Sequence, residues 1–112
     1  MNRTVTTSIS YLGKRTGLPR TCRAPSARLG DDFVLRVRHP EELRWWRNFL
    51  SPWPVTVVQP GRMIHGTGHV VSGESEEGRQ LSTAYFSRYR NSRPRAVPKA
   101  QETLTFVRVM PR

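Results

Sequence analysis

The sequence predicts an α+β fold: a small β-barrel of about six mostly antiparallel strands with two helices. Three observations carry this expectation. Nine prolines and eight glycines in 112 residues break the chain into short pieces, which suits strands and turns better than a helical bundle. Most pieces are rich in Val, Thr, Ile and Tyr and alternate apolar with polar residues. Only two stretches, one after His39 and one around Leu81, carry apolar residues at helical spacing. The length fits one domain over residues 1–112, and a hydrophobic content of 36% is enough for one small core.

The strands can be taken in order. Thr4 to Leu12 alternates so that Val5, Thr7, Ile9 and Tyr11 share a face. A basic turn, Gly13-Lys14-Arg15-Thr16-Gly17-Leu18-Pro19-Arg20, separates it from a second extended run ending at Leu29. Pro25 within that run predicts an edge position or a bulge. Gly30-Asp31-Asp32 is a hairpin signal, and Phe33 to Val37 returns with Phe33, Leu35 and Val37 inward.

His39-Pro40-Glu41-Glu42 reads as a helix start, with proline first and acids in the first turn. That helix is expected to reach Leu50, with Leu43, Trp46, Phe49 and Leu50 on one arc and Trp45 at its edge, one turn from Asn48. Val55 to Val58 and Met63 to Val71 form the next pair about the Pro60-Gly61 turn. Gly66 and Gly68 mark close backbone approach or a sharp bend. Ser72 to Glu77 reads as a polar loop. A second helix is expected from about Arg79 to Arg90, with Leu81, Tyr85 and Tyr89 in register, and a last strand from Thr103 to Met110. The order is β-β-β-α-β-β-α-β.

Composition narrows the function. No apolar run is long enough for a transmembrane segment, and the first residues lack the apolar core of a signal peptide. Cys22 is the only cysteine, so no intrachain disulfide forms and a cytoplasmic location is expected. The net charge of +11 attracts polyanions or one strongly anionic small ligand. The basic residues are dispersed from Arg3 to Arg112, the pattern of a generally arginine-rich surface.

Hydrolytic chemistry finds no support, since there is no G-x-S-x-G elbow and there are only eight carboxylates. His65 and His69 have the spacing of a metal pair only on a helix; on a strand their Cα atoms lie about 13 Å apart. No metal site is expected, and Cys22 reads as a small core residue. The basic turn is more informative. Lys14, Arg15, Thr16, the Gly17 backbone N–H and Arg20 can converge on one anion, and Trp45, Arg44 and Asn48 can be placed beside it. A solvated basic loop is the bland reading of the turn taken alone. A phosphate grip beside an aromatic wall suits an enzyme whose chemistry belongs to a cofactor, with no catalytic side chain of its own.

The turn and the W-W-R-N stretch at residues 45–48 together resemble the deazaflavin (F420)-dependent nitroreductase-like family of split β-barrel oxidoreductases. The family turn G-R-x-S/T-G-x-x-R is matched by Gly13, Lys14, Arg15, Thr16, Gly17 and Arg20, and its W-x-x-N motif by Trp45 and Asn48. The likeness covers roughly residues 10–71. It implies a split barrel in which Lys14, Arg15, Thr16 and Arg20 hold the cofactor phosphate. It places Trp45 and Asn48 along the deazaflavin ring, and Tyr85 and Tyr89 on the substrate side. It further implies hydride transfer from reduced F420 to a quinone, nitro compound or other conjugated acceptor, with FMN as the alternative cofactor and a homodimer among the family's assemblies.

A second reading makes the chain a small basic barrel that binds nucleic acid through stacking aromatics. It is disfavoured because Trp45 and Trp46 have apolar neighbours and no strand face clusters aromatics between basic residues. A third is a non-catalytic carrier of the same cofactor or of a lipid.

Overall fold

The computed structural model describes residues 5–88 and 104–112. Its strands are β1 (Thr6–Leu12), β2 (Pro19–Leu29), β3 (Asp32–Arg36), β4 (Trp53–Gln59), β5 (Arg62–Ser72) and β6 (Thr105–Pro111). They form a closed barrel in the order β1-β2-β3-β6-β5-β4, and every pairing is antiparallel. One α-helix, α1 (Glu76–Arg88), lies on its outside. The expected barrel of six strands is present; the fold is mostly β, and the described residues hold one α-helix where two were expected.

Alternation explains the interior. Ile9, Tyr11, Ala24, Phe33, Leu35, Val55, Val57, Val107 and Val109 point inward and form one buried cluster. A second cluster lies on the outer wall, where Val34, Ala27, Val71 and Phe106 meet Leu81 and Tyr85 of α1. This explains why three consecutive residues of β3, Phe33 to Leu35, are all buried: one face fills the barrel and the other is roofed by the helix.

The first expected helix is corrected. Residues 40–42 form a turn, residues 43 and 44 are irregular, and in this segment Trp45–Phe49 alone winds, as a 3₁₀ helix with Arg47 N–H donating to the Arg44 carbonyl at 3.0 Å. His39 enters with a positive φ of 53°, which sets the chain off a helical path at the position expected to start one. The Trp46 indole N–H then donates to the carbonyls of Leu43 (2.7 Å) and Pro40 (3.1 Å), groups a regular helix would use itself. So few residues cannot repay α-helix nucleation unaided. Burial of Phe49 at the barrel mouth, beside Tyr11 and Trp45, stabilises the segment instead.

The second helix begins earlier than expected, at Glu76. The Ser75 hydroxyl accepts the Gly78 N–H at 2.9 Å as an N-cap, and Glu76 and Glu77 occupy the first turn. Leu81 and Tyr85 form its buried stripe; Tyr89 lies outside the described residues. The closed barrel also corrects the edge expected at Pro25. Ser26 N–H donates toward β1, to the Val5 carbonyl, so position 25 points its nitrogen the other way, past the end of the β2–β3 ladder at Ser26. No ladder bond is lost there. Close approach at the β5 glycines is as expected: a Cβ on Gly68 would sit 2.9 Å from Phe49 Cδ1, and one on Gly66 would sit 2.5 Å from the Met110 carbonyl oxygen.

Candidate functional site

The turn between β1 and β2 is held shut from within. Gly13 N–H donates to the Leu18 carbonyl at 2.8 Å, Gly17 N–H to the Gly13 carbonyl at 2.7 Å, and Thr16 Oγ1 accepts the Leu18 N–H at 3.2 Å. Gly17 has φ 71°, a conformation that glycine adopts without strain. Its N–H is therefore spent inside the turn. The expectation that Gly17 offers this donor to an anion is corrected.

The turn leans on the 3₁₀ helix. Asn48 Oδ1 accepts the Lys14 backbone N–H at 2.7 Å, while Asn48 Nδ2 donates to the Trp45 carbonyl at 2.9 Å. The Lys14 ammonium reaches past the helix, donating to Ser51 Oγ and lying 5.2 Å from the Trp53 ring centroid. The Trp53 indole N–H donates in turn to the Leu12 carbonyl at 2.7 Å. Residues far apart in sequence thus fasten the strand end, the turn and the helix together.

Between them lies a groove of about 740 Å³, within the range of small-molecule sites. Of the expected site residues, Lys14, Arg15, Thr16, Arg20, Trp45 and Asn48 all line it, and Gly17 does not. Tyr85 is elsewhere. It is buried beneath α1 with Phe106 and Phe86, because the Leu81–Tyr85 stripe is the face that seals the helix to the barrel. Its expected place on the substrate side is corrected.

Strand register adds residues that sequence spacing did not single out. Tyr11 lies directly across from Arg20, and Ile9 across from Cys22, so Arg20 and Cys22 share the inward face with Tyr11. Tyr11 and Cys22 line the groove below Arg20. The two-residue period alone would have found them once Arg20 was placed at the mouth. Burial pushes the Cys22 thiol up to about 12, and burial, with Cys22 second, raises the Tyr11 phenol against the opposing pull of Arg20. The floor is therefore uncharged at neutral pH. Arg44 and Arg47 complete the rim, and the Arg47 guanidinium lies 5.6 Å from the Trp46 ring centroid.

The lining holds five cationic side chains and no carboxylate. Such a site can fix an anion by charge and by guanidinium hydrogen bonds, beside an aromatic wall of Trp45. The two strand histidines are occupied elsewhere: His65 Nδ1 pairs with Thr56 Oγ1 at 2.9 Å, and His69 Nε2 with Glu77 Oε2 at 3.2 Å. Among the described residues no group of His, Cys, Asp or Glu could hold a metal ion, and no helix is long and apolar enough to cross a membrane.

No family model matches the chain, and no curated protein matches it. Solved structures do. The FAD and heme binding protein from Mycobacterium smegmatis superposes with a TM-score of 0.58 at 15% identity, over 93% of this chain and 60% of that one. A protein of unknown function from Agrobacterium tumefaciens gives 0.57 at 15% identity, over 93% and 47%. An F420 reductase gives 0.54 at 17% identity, over 99% and 89%. The fold is shared. This chain spans less than two thirds of the first two proteins, and at such identities the likeness is one of fold.

Proposed function

We propose that the chain is a redox barrel whose groove takes a phosphate-bearing flavin-type cofactor, F420 with FMN as the alternative. The observation that carries the reading is the lining itself: five cations, no carboxylate and a half-buried tryptophan around one groove of cofactor size. The donor set suits a phosphorylated ring. Arg15, Arg20 and Thr16 would hold the phosphate, with Arg44 and Arg47 adding field at the rim. Trp45, backed by Phe49, would lie along the ring. When bound, such a cofactor supplies hydride transfer to a quinone, nitro compound or other conjugated acceptor. The chain's own part is to bind, orient and exclude water. The F420 reductase and the FAD and heme binding protein with this barrel support a cofactor of that class.

Lys14 and Asn48 take different parts in this reading from those the family likeness implied. Asn48 positions the turn through the Lys14 N–H, and the Lys14 ammonium braces Ser51 and Trp53. Titration of the protein with F420 and with FMN, followed by tryptophan fluorescence, tests the reading. Saturable quenching that is lost in Arg20→Ala supports it. Absence of quenching by both, with salt-sensitive binding of single-stranded oligonucleotide, would move the protein to the nucleic-acid class.

A further inference from the structure

We infer that the Tyr11 hydroxyl is the hydrogen-bonding contact at the floor of the groove, meeting an acceptor atom on the ring edge of a planar, phosphate-bearing ligand. The inference rests on the cofactor reading of the groove and names the residue that reads the ring rather than the phosphate.

Tyr11 is 7% exposed and belongs to the barrel core. Its ring meets Phe49 edge to face, with centroids 5.3 Å apart at 69°, and its cross-strand partner is Arg20. A tyrosine buried to this degree ordinarily hydrogen-bonds its hydroxyl within the protein. Among the described residues Tyr11 Oη has no such partner, yet no fully buried side-chain oxygen or nitrogen lacks one. The hydroxyl is therefore not sealed in the core. Tyr11 borders two surface depressions, and the groove is the one that also holds Cys22 and Arg20, the two groups whose charges act on the phenol; we place the hydroxyl there. The arrangement is an apolar, packed ring with one polar atom presented to the cavity, held in place before any ligand arrives.

The chemistry of the surroundings selects the ligand class. The rim around Arg15, Arg20, Arg44 and Arg47 is cationic and suits the phosphate. The floor is neutral, since burial first and Cys22 second hold the Tyr11 phenol above its ordinary value and keep it a proton-bearing donor. A neutral donor among apolar groups rewards an uncharged acceptor such as a ring carbonyl, and an acceptor-free ring would leave the hydroxyl unpaired. Flavin and deazaflavin rings both carry such carbonyls.

The test compares wild type with Tyr11→Phe, which keeps the packing against Phe49 and removes only Oη. Binding of FMN, F420 and the ring-free ribose 5-phosphate would be measured on both, with thermal melts to verify folding. The expected result is about a tenfold loss for the ring ligand with ribose 5-phosphate unchanged. Equal ring-ligand affinity in the two proteins would overturn the inference and leave the cofactor reading standing. If neither ring ligand binds wild type, both are overturned. Should Tyr11→Phe fail to fold, wild type carrying carbon-13 at tyrosine Cζ answers instead. The Tyr11 signal should move on adding the ring ligand and stay still with ribose 5-phosphate; an unmoved signal would overturn the inference.

Discussion

Asn48 accepts the backbone N–H of Lys14 at 2.7 Å across 34 residues of sequence. The amide oxygen of the 3₁₀ helix thereby fixes the basic turn at its first residue, and the same side chain returns its Nδ2 to the Trp45 carbonyl. With the Lys14–Ser51 and Trp53–Leu12 contacts, this side chain holds the cationic rim against the aromatic wall.

Asn48→Ala should therefore act on the groove and on stability together. Loss of the two hydrogen bonds should cost about 1–2 kcal/mol, read as a lower midpoint in urea. Cofactor affinity should fall even though no ligand-facing cation is removed. Asn48→Asp keeps the acceptor for the Lys14 N–H and should recover more of the stability than of the anion affinity, since it brings a carboxylate to the groove.

The cations should divide by position. Arg20 shares the inward face with Tyr11 at the mouth, whereas Arg62 sits on the β4–β5 hairpin at the far end of β4 from Trp53. Arg20→Ala should weaken FMN or F420 binding by about tenfold or more; Arg62→Ala should leave it unchanged. Equal losses would indicate a diffuse polyanion surface.

Gly68 faces Phe49 with no room for a methyl group. A Cβ there would lie 2.9 Å from Phe49 Cδ1, and Phe49 is fully buried and cannot swing away. Gly68→Ala should destabilise the protein by about 1–3 kcal/mol and displace the 3₁₀ helix, which chemical denaturation and the Trp45 emission maximum would show.

Acid should loosen the seat of α1. Arg108 donates to Asp32 and to Glu77 at 2.8 and 2.9 Å, and His69 meets the same Glu77 oxygen, so β3, β5 and β6 are tied to the helix start. Burial opposes the Glu77 charge, but the hydrogen bonds and charges of Arg108 and His69 outweigh it and hold the carboxyl below its usual value. A depressed carboxylate contributes stability above its unfolded pKa, about 4.3. That contribution is lost as pH falls through the lower folded value. Glu77→Gln should therefore be less stable than wild type at neutral pH, and the gap should close in acid; urea melts across that range would show it.

Cys22 should be a poor nucleophile. With its thiol pushed up to about 12 by burial, the thiolate population at neutral pH falls by roughly a thousandfold from that of a free cysteine. Ellman's reagent should react slowly with the folded protein and rapidly in denaturant.

Much of this was legible in the chain. Strand runs with a period of two, the Gly30-Asp31 and Pro60-Gly61 turns, the barrel class and the basic turn all follow from local rules of sterics and alternation, which act within a few residues. The apolar arc after His39 was legible too, but its conformation was not. The Trp46 indole claims the carbonyls of Pro40 and Leu43, Asn48 bonds Lys14, and Phe49 plugs the barrel against Gly68. Those are contacts between separate segments, and they outweigh a helix propensity of tenths of a kcal/mol per residue. The site divides the same way. By itself the sequence singled out Arg15, Arg20 and Trp45, which the fold brings to one groove. Only the tertiary structure decided that Gly17 spends its N–H inside the turn, that Tyr85 seals α1 and that Tyr11 lines the groove beside Arg20 and Cys22. Barrel closure sets which strand faces meet and which groups are left for a ligand, and closure is a property of all six strands at once.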